Sequence, residues 1–215
     1  MLLHLRRSLV FALLCFVVFG MLYALAGTGV SQLLFKSQAD GSISPEGSAL
    51  IGQPWNLTRC PGHPLGSCVF QGRPDDLGPY SDSDPRHPSP AGHPGDDPYE
   101  LNGVAGSSGA TNLGPRSKTL LLDTKELVAY WRARGVDPTA DLVTTSGSGY
   151  DPDISPADAI AQIPMVAKAT GVSARRLRRL IAGDTSGPQW GFLGTRYIDV
   201  LALNEGLAAL KKNEG

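Results

Sequence analysis

The chain opens on an apolar block that nothing later in the sequence repeats. From Leu9 to Ala26, "LVFALLCFVVFGMLYALA", no position carries a charge. A helix over these residues rises about 27 Å, close to the roughly 30 Å hydrocarbon core of a bilayer, and the uncharged continuation to Val30 supplies the remainder. The pattern predicts a cytoplasmic segment over 1–8, a transmembrane helix over 9–29 and a domain over 30–215. Within "GSISPEGSALIGQ" (41–53), one apolar group, Ala49 to Ile51, stands between glycines and reads as a strand or turn. From Pro54 to Glu100 apolar positions become scarce. Residues 75–98 are expected to form a mobile, disordered Pro/Gly-rich insertion, because they bury too little apolar surface to offset their ordering entropy.

Helical periodicity returns near Thr119. "TLLLD" (Thr119 to Asp123) fits a strand or the lead-in to a helix. Asp123 and Glu126 resemble a capping box, with Leu127, Val128 and Trp131 on one face and Gly135 as the closing residue, which predicts a helix of about three turns. "DLVTTS" (Asp141 to Ser146) is β-branched enough for a strand. The following "SGSGYDPDISP" (Ser146 to Pro156) ends as a helix start: Ser155 offers an N-cap oxygen, Pro156 suits N1, and Asp158 suits the helix dipole. The helix so opened carries Ile160, Ile163, Val166 and Ala167 at helical spacing and ends at Gly171. Pro164 within it removes a hydrogen bond to the Ile160 carbonyl and predicts a kink. Ser173 opens a further helix, with Leu177, Leu180 and Ile181 as its apolar stripe and Arg175, Arg176, Arg178 and Arg179 on a solvated or partner-facing side. "YIDVLALN" (Tyr197 to Asn204) alternates as a strand, and Asn204 would cap a closing helix to Lys212. The expected class is α+β: a single N-terminal transmembrane helix followed by one extracytoplasmic mixed α/β domain.

Charge sets the orientation. Arg6 and Arg7 precede the apolar run, whereas Lys36, Asp40 and Glu46 beyond it are a weak flank, so the amino terminus is expected in the cytoplasm and the domain outside. "ALAG" (Ala24 to Gly27) would suit a signal peptidase, but the apolar run exceeds a usual leader, which favours a retained anchor. Cys15 reads as a small hydrophobe within the span. Cys60 and Cys68, in "CPGHPLGSC", are expected to close a disulfide in an oxidising compartment. A zinc site using both and His63 would lack a fourth ligand. The formal net charge of -1 gives no basic field for nucleic acid.

Candidate chemistry is sparse. "GSG" around Ser148 is not a nucleophile elbow, and His63, His87 and His93 each precede a proline in the polar stretch, away from any partner base. No Ser-x-x-K and no G-x-x-x-x-G-K-[ST] loop occurs, and "GVAGSSG" (Gly103 to Gly109) lacks the flanking strand and helix of a phosphate loop. The residues alone therefore describe an anchored domain without an active site, metal or cofactor of its own. A surface enzyme working through Ser148 lacks a base, while an anchored or secreted cell-surface binding module without a transport role remains an alternative.

The order of motifs carries a resemblance. "GSALIGQ" (47–53), "GRP" (72–74), "GSSGATNLGP" (106–115), "SGSGYDPDISPADAIAQIPMVAKATG" (146–171) and "GFLGTRYIDVLALN" (191–204) closely resemble the C subunit of the Kdp potassium-transporting ATPase, over most of the chain. Met165 stands where that family has a basic residue, and "NLGPRSK" replaces its usual "NLGPTNP". The resemblance implies a single-pass accessory subunit of the bacterial plasma membrane. Its partners would be the lipid bilayer, a potassium-conducting A subunit, an ATP-hydrolysing P-type B subunit and a small F peptide, with ATP and potassium handled by the complex. It also implies a catalytic chaperone that raises ATP affinity, with Gln162 matching the glutamine proposed to contact nucleotide. Read from the residues, Gln162 would instead order the helix near Pro164 and present the "SGSGYDP" loop. The candidates for partner docking are Ser146, Gly147, Ser148, Gly149 and Asp151 in that loop, Asn112 and Gly114 in "NLGP", and Arg175 and Arg179 on the arginine-rich helix.

Overall fold

A computed structural model describes residues 2–53, 55, 58–74, 112–148 and 151–212. The predicted insertion, Gly103 to Gly109, His87, His93 and Gly149 lie outside the described residues. The chain divides into two units, Met1–Ser44 and Pro45–Gly215.

In the first unit, α1 (Leu2–Cys15) continues through π-helical turns (Phe16–Leu22) into α2 (Tyr23–Leu34). Leu3–Leu34 is thus one helix of 32 residues, and among the described residues it alone is long and apolar enough to cross a membrane. Its side chains, including Leu13, Phe19 and Leu25, are exposed around the helix, the pattern of an element whose solvent is lipid rather than water. The helix outruns the predicted boundary because neither proline nor charge interrupts it before Lys36. Thr28 donates its hydroxyl to the Ala24 carbonyl at 3.0 Å, which satisfies a polar group inside the apolar stretch. Short α3 (Lys36–Ala39) and β1 (Ile43–Ser44) complete the unit.

The second unit begins with β2 (Gly47–Ser48), after which Ala49 to Ile51 form an exposed turn. Its body is built by α4 (Lys118–Ala133), β3 (Asp153–Ile154), α5 (Pro156–Thr170), α6 (Ala174–Asp184), β4 (Ile198–Asp199) and α7 (Val200–Lys212). Helix α4 is capped six residues earlier than the expected cap at Asp123. Ser117, not Asp123, is its N-cap and accepts from the Leu120 amide at 3.3 Å, so "TLLLD" is helical and Asp123 and Glu126 lie inside. Gly135, at φ 76°, supplies the left-handed turn that ends this segment.

One predicted strand is absent and another is cut short. Asp141–Val143 is a single 3₁₀ turn. Leu142 and Val143 are both buried, and the Leu142 carbonyl accepts from the indole of Trp131 at 2.8 Å rather than from a neighbouring strand. The strand expected over Tyr197 to Asn204 stops at Asp199, whose carboxylate accepts from the Ala202 amide at 2.7 Å and holds the first turn of α7. Asn204 is therefore an interior residue of α7, not a cap.

The α5 start follows the sequence reading: Ser155 and Asp158 form a reciprocal capping box, with amide-to-side-chain distances of 3.2 and 2.9 Å. Helix α5 continues through Pro164 to Gly171 at φ 77°. The strands β3 and β4 pair antiparallel, Asp153 opposite Asp199 and Ile154 opposite Ile198. The core is one cluster around Phe70, Trp131, Leu142, Val166, Leu177 and Leu203. The unit is mixed helix and strand, but its described strands are two residues each and helices carry the packing.

Candidate functional site

The segment Phe70 to Pro74 passes from the core at Phe70 and Gln71 to half-buried Gly72 and Arg73, with no strand paired to it among the described residues. Buried main-chain groups need partners, and here two side-chain amides supply them. Asn204 of α7 accepts from the Phe70 amide at 2.8 Å and donates to the Phe70 carbonyl at 2.9 Å. Gln162 of α5 does the same for the next residue, accepting from the Gln71 amide at 2.8 Å and donating to its carbonyl at 3.0 Å. Each carboxamide thus takes the place of one residue of a neighbouring strand. Gln71 in turn donates its side-chain amide to the Gly66 carbonyl at 2.6 Å.

Arg73 extends the same connection. Its guanidinium donates to the Thr145 carbonyl at 3.0 Å and, at 3.4 Å each, to the carbonyl and hydroxyl of Thr144. Asp151 stands 3.7 Å away and accepts from the Asp153 amide at 3.1 Å. The Val200 amide closes the ring on the Pro152 carbonyl at 3.0 Å. "GRP", "SGSGYDPDISP" and "YIDVLALN", scattered along the chain, therefore meet on one segment. Just before it, Cys60 and Cys68 are joined as a disulfide, Cα to Cα 5.6 Å. Cys15 is free.

Charge is concentrated beside this junction. Half-buried Asp153 faces Asp199 across the strand pair and neighbours Asp151. Burial first, then these two carboxylates, push its pKa up to about 6. Asp158 is fully buried, with the Ser155 amide and the Thr139 hydroxyl as donors. Burial also raises the Asp184 carboxyl.

The sequence-derived candidates scatter around this junction. Ser146 is buried, its hydroxyl 3.3 Å from that of Ser148, while Gly147 and Ser148 are exposed. Asp151 is half-buried at the Arg73 end. Asn112, at φ 53°, and Gly114 are exposed ahead of α4. Arg175 and Arg179 are exposed on α6, Arg179 beside an open cleft of about 510 Å³ shared with Arg176, Leu180 and Leu210. Gln162 is completely buried. The structure brings Gln162 and Asp151 to one junction, through Gln71 and Arg73, and leaves Asn112, Gly114 and the α6 arginines elsewhere on the surface.

Sequence reasoning missed Arg73 and the pairing role of Asn204. It also passed over the tip of the 186–197 loop, where Gln189 and Leu193 pair their backbones at 2.9 Å in both directions. Trp190 projects from this tip with 83% of its surface exposed and φ 52°; Phe192 is 73% exposed. The signal for it was "QWGFLG", two large aromatics between residues that favour tight turns. Among the described residues no group of His, Cys, Asp and Glu is arranged to hold a metal ion.

Comparison with known proteins adds a family. The model described as "KdpC: K+-transporting ATPase, c chain" matches residues 5–209. A potassium-transporting ATPase KdpC subunit of Rhodopseudomonas palustris (strain BisB18) is 38% identical over 98% of this chain and 100% of its own length. Proteins of the same name from Methylobacterium nodulans and Caulobacter vibrioides (strain NA1000 / CB15N) are 39% and 40% identical, covering 98% and 97% of this chain and 98% and 94% of their own lengths.

Proposed function

The chain belongs to the KdpC family of potassium-transporting ATPase subunits, and from that membership we propose that it is a non-catalytic accessory subunit of an ATP-driven potassium import pump in a bacterial plasma membrane. Its partners in this reading are a potassium-conducting A subunit, an ATP-hydrolysing P-type B subunit and a small F peptide. The observation that carries the proposal is the match over residues 5–209, which takes in both the apolar helix and the three motif blocks that meet at Phe70 to Arg73. Leu3–Leu34 anchors the subunit. Arg6 and Arg7 keep the amino terminus in the cytoplasm and place Pro45 onward outside.

Within the complex the second unit docks on its partners and Gln162 acts through structure. Support comes from burial: both ends of its amide hold the Gln71 main chain, so reaching a nucleotide would require giving up two buried hydrogen bonds. The exposed aromatic tip at Trp190 and Phe192 suits a hot spot, since large aromatics dominate protein contacts and a non-glycine residue at positive φ is strained. Affinity purification from potassium-starved membranes tests the assignment. Recovery with large polytopic subunits is expected, and solitary recovery would refute it.

A further inference from the structure

A second feature of the outer unit lies apart from the junction. Three elements enclose a cleft of about 360 Å³: the disulfide loop at His63, Pro64 and Ser67, the end of α4 from Arg132 to Gly135, and α5 from Pro164 to Ala169. That volume falls within the range of small-molecule sites. Among the described residues its lining includes Arg132, Arg134, Lys168 and His63, and no Asp or Glu. Among the described residues exposed Asp137 meets Arg132 at a loose 4.0 Å. Arg134 is set in place: its guanidinium stacks 3.5 Å from the centre of the Tyr130 ring and donates to the Tyr130 carbonyl at 3.3 Å, while its buried Nε has no partner.

Cations near the carboxyl end of a helix favour that helix by complementing its dipole, which explains the arginines on α4 and Lys168 on α5 separately. It does not explain why both sets face one cleft, where like charges repel. We propose that this cleft binds a small phosphate-bearing anion. Three positive charges, Arg134 held in place and Arg132 and Lys168 on exposed side chains, suit a phosphate near charge -2 better than a carboxylate, and forked guanidiniums beside one ammonium are the donor set that phosphate oxygens accept. The disulfide fixes one wall. The ligand is either a free phosphate or the headgroup of an anionic lipid.

The test uses the full chain in maltoside micelles, titrated calorimetrically with inorganic phosphate and, separately, with dihexanoyl-phosphatidylglycerol below its micellar concentration, at fixed ionic strength. Saturable binding of at least one is expected, and the tighter of the two names the source. Lys168→Gln and Arg132→Gln should each weaken it about tenfold, the value of one charge-assisted hydrogen bond, whereas Arg175→Gln on the far helix should leave it unchanged. Melting temperatures of the three variants within about 2 °C of the parent, checked alongside, show that the fold persists in each. Binding of neither ligand overturns the proposal. So does binding that Lys168→Gln and Arg132→Gln leave intact, or that Arg175→Gln weakens equally.

Discussion

Replacing Gln162 by leucine keeps nearly the same volume and removes both hydrogen bonds to Gln71. The two main-chain groups left behind, an amide at 2.8 Å and a carbonyl at 3.0 Å in the native structure, are buried with the fully buried side chain that served them. Each unpaired buried polar group costs about 1–3 kcal/mol, so the loss is about 2–6 kcal/mol. For a chain of this size that corresponds to a fall of roughly 5–20 °C in melting temperature. Gln162→Glu sharpens the test. The introduced carboxyl keeps the acceptor for the Gln71 amide but donates to the Gln71 carbonyl only when protonated, and burial raises its pKa in the folded state. Its stability should therefore approach that of the parent at low pH and be lost as pH rises through the folded-state pKa. Thermal melts of the full chain in detergent from pH 4.5 to 8, with ATP titrations of assembled pump carrying each variant, separate the roles. A melting temperature for Gln162→Leu within 1 °C of the parent, together with weakened ATP affinity, would refute the structural reading and restore direct nucleotide contact.

Asp153→Asn should stabilise the chain at pH 7.5. The carboxyl titrates near 6 when folded against an ordinary 3.8, so its contribution is full below about pH 4 and lost as pH rises through 6; denaturant melts should show a gain of about 1–2 kcal/mol at pH 7.5, after allowance for solvent screening, and none at pH 4. Removing the Cys60–Cys68 bond by paired serine substitution should cost about 2–3 kcal/mol while leaving α4–α7 folded, as followed by circular dichroism; collapse of the helical signal would show that the loop is essential. Trp190→Ala should leave the melting temperature within about 2 °C, because the ring is largely exposed, yet reduce co-purification of partner subunits. A cysteine placed at exposed Ser173 should react with an impermeant thiol reagent in intact cells from which the outer membrane has been stripped; reaction only after lysis would reverse the assigned orientation.

What could be read from the sequence was whatever local chemistry decides. The apolar run from Leu9 showed itself because a membrane helix needs no tertiary partner to satisfy its backbone. Ser155 and Pro156 marked the start of α5 because a cap, a fixed φ and the first-turn Asp158 act within a few residues. One error has the opposite cause and another a local signal that was passed over. "DLVTTS" has strand propensity, but Trp131 takes the Leu142 carbonyl and the core takes both Leu142 and Val143, so burial overrides preference. "YIDVLALN" is a strand for only two residues before Asp199 winds the chain into α7, and a hydrogen bond from Ala202 to an aspartate is as local as the Ser155 cap that was recognised.

Asn204 shows why the junction itself was hidden. Asparagine is a common N-cap and an uncommon interior helical residue, so by itself it marks a boundary. Its position inside α7 makes sense only with Phe70, 134 residues away, whose main chain has no strand to pair with. Gln162 is in the same situation across 91 residues. A fold whose described strands are two residues long still needs to satisfy a buried extended segment, and two amides on separate helices do so in adjacent positions. The consequence is mechanical. Asn204 lies in the helix that β4 leads into, and β4 follows directly on the Ser186–Tyr197 bridge that carries the Trp190 tip, so the junction and the exposed aromatics are linked along one short stretch of chain. On the proposed reading, a partner that grips the tip bears on α7 and Asn204 through this stretch as well as on the loop.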